Sequence, residues 1–297
     1  MYLAGTDRDA LVNAGEQALD EIERLDRQLS HYRDDSDIAR LNMHATEQWV
    51  RLEPRLYALL KRCQDLAIQT DGAFDITAGP LVNAWGFYRG DGRVPPDEEL
   101  SGILEGVGSY RILFDDEDHL VYFTSTTLQI ELGAIGKGYA IDEAVSTLGM
   151  FNVTNAVLHG GQSTIYALGN GVSDEGWEFT IKDPRDHETV LQTLTLRDEA
   201  LSTSGNYEQF FEVDGKRYSH IIDPRTGYPA PGVVSVSVVA PTAAESDALS
   251  TAFFVMGRAA TEEFCSSRPE LRVIIVEEAG AGRDEIEVTR IGFETSG

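Results

Sequence analysis

Apolar residues Leu11, Ala14, Ala18, Ile22, Leu25 and Leu29 recur at spacings of three and four. That is the period of one helical face, and it predicts a long amphipathic helix ending near Ser30. A second helix is expected to open at Pro54 and to run through Leu59, Leu60, Cys63, Leu66 and Ala67 to a stop at Asp71-Gly72. A third follows Gly136 and continues through Ala140, Ile141, Ala144 and Val145 to Leu148-Gly149. From Val153 the pattern changes to short β-prone runs: Asn155 to Leu158, Thr164 to Leu168, Trp177 to Lys182, Val190 to Leu196 and Val233 to Val239. Glu208 to Val213, then Asp214-Gly215, then Lys216 to Ile222 reads as a hairpin, because Asp-Gly tolerates the positive φ of a tight primed turn. A further helix is expected over about Ala244 to Met256, followed by strands at Leu271 to Glu277 and Ile286 to Ile291.

Helices come first and strands mixed with helices follow, without the regular alternation of a doubly wound nucleotide fold. The expectation is α+β with a largely antiparallel sheet and flanking helices. No internal repeat or low-complexity linker marks a boundary, and the loop Arg89 to Asp97 around Pro95-Pro96 is short. Residues 1–297 are therefore read as a single domain, or as two closely packed lobes.

With 297 residues and 42% hydrophobic content, the chain can bury a full core without disulfides or a structural metal. Cys63 and Cys265 lie far apart, with no CxxC or CxxH neighbours, and read as small core residues. Fifty acidic against 24 basic residues give a formal charge of −26, and the lysines are Lys61, Lys137, Lys182 and Lys216. Nucleic acid is excluded as a main partner, as is an anionic membrane surface, since both need a basic footprint. No apolar run of 18 residues offers a transmembrane segment, and Met1 to Gly5 lacks the basic and apolar regions of a secretory signal.

Four segments carry more glycine and polar punctuation than structure alone needs. In Gly72-Ala73-Phe74-Asp75-Ile76-Thr77-Ala78-Gly79-Pro80, followed by Asn83 to Phe87, glycines permit close backbone approach to a ligand, while Asp75 and Thr77 supply polar groups. An ordinary helix-to-strand turn is the plain alternative. In Glu131-Leu132-Gly133-Ala134-Ile135-Gly136-Lys137-Gly138, glycines and a lysine lead into a helix, and such a helix start suits an anion such as a pyrophosphate. Neither a Walker A loop nor GxGxxG is present: Gly138 follows Lys137, and Ile141 takes the third glycine's place.

The third segment is Ser202 to Tyr207, followed by Tyr218-Ser219-His220-Ile221-Ile222-Asp223-Pro224-Arg225-Thr226-Gly227. His220, in this dense polar stretch, has the chemistry to take a proton from a hydroxyl nucleophile. A structural strand histidine is the alternative. In the fourth segment, Glu245 to Thr251, Asp247, Ser250 and Thr251 share one helical face and offer one carboxylate and two hydroxyls. Hard oxygens with a single charge suit Mg2+ and do not suit zinc, while helix N-capping is the plainer reading of the same residue types taken alone.

In this order, and together with Leu29-Ser30-His31-Tyr32, Ser36 and Leu41-Asn42, the four segments resemble the ApbE family, the FAD:protein FMN transferases. The resemblance runs from about Leu29 to Gly257. It implies an α+β fold and an enzyme that uses Mg2+ and FAD, moves FMN onto a threonine hydroxyl of a target flavoprotein and releases AMP. Some members instead hydrolyse FAD to FMN and AMP, and a flavin-binding protein without turnover is a third reading. By position, the resemblance implies FAD contacts for Tyr32, Ala73, Phe74, Asp75, Glu131, Lys137 and Ile222, the last on a strand that meets the cofactor. It implies metal contacts for Ala134, through its backbone carbonyl, and for Asp247, Ser250 and Thr251. His220 is similar to the proposed catalytic histidine, with Asp223 a second candidate proton acceptor. An envelope or periplasmic setting is implied too. Glu131 stands where aspartate is common, Gly160-Gly161-Gln162 where Gly-Gly-Asp is common, and nothing before Leu11 reproduces the family's opening Met-Gly-Thr strand.

Overall fold

The computed structural model describes residues 1–88, 92–161, 163–186, 188–279 and 285–293. The start of the loop expected at Arg89, and Gln162 of the Gly-Gly-Gln run, lie outside the described residues. The chain divides into two compact units, one formed by residues 1–26, 133–205 and 232–297, the other by 27–132 and 206–231. Each unit has its own core.

The first unit is built on a seven-stranded sheet in the order Tyr2–Leu3, Ala156–Gly160, Thr164–Leu168, Glu199–Gly205, Val233–Ala240, Arg272–Glu278 and Ile286–Ile291. Every neighbouring pair is antiparallel, as expected for an α+β sheet. Val233–Ala240 is buried along its whole length, which explains its continuous Val/Ser run where a strand with one wet face would alternate. Ala14, Ala18, Ile141, Ala144, Leu148, Ala156, Leu158 and Ala243 form one buried cluster that joins the helices Arg8–Leu29, Gly136–Met150 and Ala243–Cys265 to the sheet. Small alanines at these contacts let the backbones approach closely. At Gly138 the helices nearly touch: a Cβ there would lie 2.1 Å from the Ala243 carbonyl oxygen and 2.7 Å from Ala244 Cα.

The second unit contains the helices Asp37–His44, Pro54–Gln69, Gly79–Ala84 and Asp97–Leu104, with a three-stranded antiparallel sheet of Val50–Arg51, Leu120–Phe123 and Ile112–Asp115. Its core includes Leu81, Trp85, Leu100, Val107 and Ile222. Trp85 Nε1 donates to the Gly227 carbonyl at 2.8 Å, so the largest buried ring meets its one polar obligation on a distant turn.

Three sequence expectations are corrected here. Tyr2–Leu3 pairs with Val157 and Ala156, so a strand does precede Leu11; at two residues it is too short to show a period. The hairpin is Phe210–Val213 with Lys216–Ser219 around Asp214 (φ 51°) and Gly215 (φ 76°), so its second strand stops three residues before Ile222. Ile222 makes only an isolated bridge to Pro229, because the chain closes into its own tight turn there: Gly227 N–H donates to the Asp223 carbonyl at 2.8 Å, and Asp223 N–H to that of Tyr228 at 2.8 Å. The last helix, expected to end near Met256, extends to Cys265 across a break at Gly257 (φ 70°, ψ 179°), a conformation that only glycine adopts readily.

Candidate active site

The segment Asp247 to Thr251 lies in the second turn of the helix Ala243–Cys265, whose start is capped by Thr242 accepting from Glu245 N–H. Asp247 therefore does not cap its own helix. Its side chain is buried, and its carboxylate faces the beginning of another helix: Oδ2 accepts from Gly138 N–H at 3.0 Å. Oδ1 accepts from Thr164 Oγ1 at 3.2 Å and lies 3.4 Å from Lys137 Nζ. Free N–H groups and the positive end of the macrodipole draw a carboxylate to this place. Gly138 alone allows it, since any side chain would hold the two helices apart. Burial pushes the Asp247 carboxyl above its ordinary range; the Lys137 ammonium, the Gly138 N–H and the Thr164 hydroxyl pull the other way.

Ser250 and Thr251 follow on the same face. Ser250 Oγ donates to the Asp247 carbonyl at 2.9 Å and is 2.8 Å from Ser204 Oγ, which is 3.2 Å from Thr251 Oγ1. Thr164 and Ser202, both fully buried, complete the seam: Ser202 Oγ donates to Thr164 Oγ1 at 2.9 Å. Ser202 and Ser204 alternate along the strand Glu199–Gly205 and so present their hydroxyls on one face. Ala134 sits in the turn that leads into the helix Gly136–Met150. The structure thus brings Lys137, Asp247, Ser250 and Thr251 together and adds Thr164, Ser202 and Ser204. Ser202 and Ser204 carried a sequence signal as part of the polar run Ser202 to Tyr207, whereas Thr164 sat inside a predicted strand with nothing to distinguish it.

Among the described residues no three His, Cys, Asp or Glu side chains come close enough to hold a metal ion. A cation here would depend on one carboxylate with hydroxyl and carbonyl oxygens. The donor set fits a hard cation of Mg2+ type, and the Lys137 ammonium at 3.4 Å already places positive charge against Asp247.

The remaining predicted residues belong to the second unit. Tyr32 is 54% exposed; its ring lies 3.8 Å from the His31 ring and edge-on to Tyr88 at 5.9 Å, between centroids. His31 Nδ1 is 3.7 Å from Glu131 Oε1. Glu131 N–H donates to the Ile76 carbonyl at 2.7 Å, which fixes the acidic residue beside the glycine-rich turn. Ala73 and Phe74 have buried side chains and leave mainly backbone to a ligand. Asp75 is engaged by the chain itself: Oδ1 accepts from Thr77 N–H, Thr77 Oγ1 and Ser109 Oγ, and Oδ2 from Ser109 N–H, at 2.6–2.9 Å. Its role in the structure is to join residues 75–77 to the loop at Gly108-Ser109, where Gly108 N–H also donates to Thr77 Oγ1 at 2.7 Å. The segment leads into the helix Gly79–Ala84, so the plain alternative of a helix-to-strand turn does not form.

His220 follows directly on the strand Lys216–Ser219, with its ring Nδ1 3.1 Å from the Gln209 carbonyl and its N–H on the same oxygen at 3.1 Å. When that contact is a hydrogen bond from Nδ1–H, Nε2 is the acceptor nitrogen. Asp223 grips Arg225 with both oxygens, at 2.8 and 2.9 Å, and accepts the Arg225 N–H at 2.9 Å. Both Asp223 oxygens are thus committed to Arg225, which leaves His220 as the candidate for taking a proton. Ile222 is buried in the core of this unit.

The sequence model of the ApbE family matches residues 4–275. This chain belongs to the ApbE family. It is 30% identical over 263 residues to the FAD:protein FMN transferase of Escherichia coli K12, covering 86% of this chain and 74% of that protein. A Treponema pallidum protein of the same name is 36% identical over 261 residues, covering 81% and 71%. Among solved structures, the apo flavinyl transferase ApbE of Pseudomonas stutzeri superposes with a TM-score of 0.85 at 29% identity, covering 98% of this chain and 89% of that one. The α+β fold expected from the order of elements is that of the ApbE structures.

Proposed function

We propose that this ApbE-family chain is a Mg2+-dependent FAD:protein FMN transferase. Its relatives carry that name, and the observation in this chain that carries the reading is the buried Asp247 with Ser250 and Thr251, set against the helix start at Gly136–Gly138 and Lys137. Asp247, Ser250, Thr251 and the Ala134 carbonyl would hold the metal. Bound there, Mg2+ supplies charge neutralisation for pyrophosphate oxygens as the bond to the leaving group lengthens.

The chain's own groups do the rest. Lys137 and the N–H groups at the start of the helix Gly136–Met150 offer positive charge to the same phosphates. Tyr32 offers an exposed ring for stacking on the flavin, and the backbone at Ala73-Phe74 together with Glu131 completes the FAD contacts. A threonine Oγ of the acceptor protein attacks the FMN phosphorus, the bridging P–O bond breaks, AMP leaves, and His220 Nε2 accepts the hydroxyl proton. Ile222 supports this segment from the core and shapes the place of His220. The setting proposed for the reaction is the cell envelope, following the family resemblance.

The test is incubation with FAD, Mg2+ and a flavoprotein bearing an acceptor threonine. A fluorescent protein adduct and stoichiometric AMP are expected. AMP and free FMN without any adduct would identify a pyrophosphatase instead, and FAD binding with no AMP would identify a binding protein.

A further inference from the structure

The hydroxyls around Asp247 have a determinable proton order. Each hydroxyl has one proton and two lone pairs. Ser250 Oγ spends its proton on the Asp247 carbonyl at 2.9 Å, so at the 2.8 Å contact with Ser204 it must accept, and Ser204 must donate. Ser204 then has no proton left for Thr251, so at 3.2 Å Thr251 Oγ1 donates to Ser204. The chain runs in one direction, from Thr251 to Ser204 to Ser250 to the Asp247 carbonyl. A second chain runs the same way, from Ser202 to Thr164 to Asp247 Oδ1, at 2.9 and 3.2 Å. The first begins on Thr251 of the helix and passes through Ser204 of the strand Glu199–Gly205, the second begins on Ser202 of that strand, and both end on Asp247.

The order has a chemical consequence. With every proton assigned, the hydroxyls of Ser250 and Thr251 keep lone pairs and no free O–H to aim at a cation. The geometry points to Ser204 as a positioning residue of the metal site: its hydroxyl fixes the proton order that makes Ser250 and Thr251 electron-pair donors. This rests on the reading that Asp247, Ser250 and Thr251 hold Mg2+.

The experiment measures Mg2+ binding by calorimetry, and Mn2+ binding by electron paramagnetic resonance, on wild type, Ser204→Ala, Ser204→Thr and Thr203→Val. Thr203 shares the strand but bonds to Ser237 at 2.7 Å and serves as the control. Ser204→Ala is expected to weaken metal binding by about tenfold or more, the usual cost of losing a partner that orients a ligand. Ser204→Thr, which keeps the hydroxyl, should stay within about threefold of wild type, and Thr203→Val should match it. In kinetics the Ala variant should need correspondingly more Mg2+ for half-maximal AMP release while its FAD affinity without metal is unchanged. Wild-type binding with a folded Ser204→Ala equal to it would overturn the role of Ser204 alone. Absence of Mg2+ and Mn2+ binding by folded wild type would overturn the metal reading and this inference with it. If Ser204→Ala does not fold, a Ser204→Thr protein that folds and binds metal ten times more weakly would overturn the inference, because the hydroxyl is still present.

Discussion

Asp247 carries two duties that a single substitution cannot separate cleanly. Replacing it by Ala removes the acceptor for Gly138 N–H and Thr164 Oγ1 in a buried place, so Asp247→Ala is expected to lose stability by about 1–3 kcal/mol as well as turnover. Asp247→Asn keeps an acceptor oxygen and should melt closer to wild type, yet release no AMP at ordinary Mg2+ concentrations. Thermal melts read beside AMP chromatography check both statements, and equal activity in wild type and Asp247→Asn would place the metal elsewhere. His220→Ala should leave FAD affinity within about threefold and slow transfer by about 10²–10⁴, the usual contribution of a general base. Loss of FAD binding instead would show that the residue is structural.

The helix–helix contact at Gly138 sets where Asp247 meets the positive end of the helix Gly136–Met150. Gly138→Ala puts a methyl group against the Ala243 carbonyl, so it should cost about 1–3 kcal/mol or more by overpacking and should weaken FAD turnover by shifting Asp247. A circular-dichroism melt and a rate at saturating FAD would measure the two effects, and a neutral melt would contradict the contact. Elements with a strong period were legible in the sequence for a plain reason: the helices Arg8–Leu29, Pro54–Gln69 and Gly136–Met150 each bury one apolar face. Strands such as Trp177–Lys182 and Val190–Leu196 showed themselves by β-branched residues. The short helices Asp37–His44, Gly79–Ala84 and Asp97–Leu104 have little more than two turns at most, and the strands Val50–Arg51, Ile112–Asp115 and Leu120–Phe123 only a few residues, in which to show a period. The strand Glu199–Gly205 was hidden for a different reason: its inward face carries Ser202 and Ser204, so its polar sequence reads as a loop although it lies in the middle of the sheet. Thr164 was hidden likewise, because it is defined by what it touches across the sheet and not by its neighbours in sequence.

Across the molecule, the charge of −26 repels an anionic substrate, and Lys137 is the one lysine near Asp247. Association of FAD is therefore expected to quicken as added salt screens the long-range repulsion, over the range in which the Debye length shrinks from about 30 to 8 Å. Stopped-flow flavin fluorescence reads this rate, and a rate that falls with salt would mean that a local basic field governs capture. The cysteines take no part: both are buried and free, and burial pushes the Cys265 thiol up to about 11. Among the described residues no helix is long and apolar enough to cross a membrane. The central claim concerns what becomes of FAD, and product analysis by mass spectrometry tests it most directly: protein, FAD and Mg2+, with and without a threonine-bearing flavoprotein, against the same mixtures in EDTA. The account predicts one AMP released for each FMN attached to the acceptor's threonine, and none in EDTA; FAD left intact by folded protein with Mg2+ and acceptor present would contradict it.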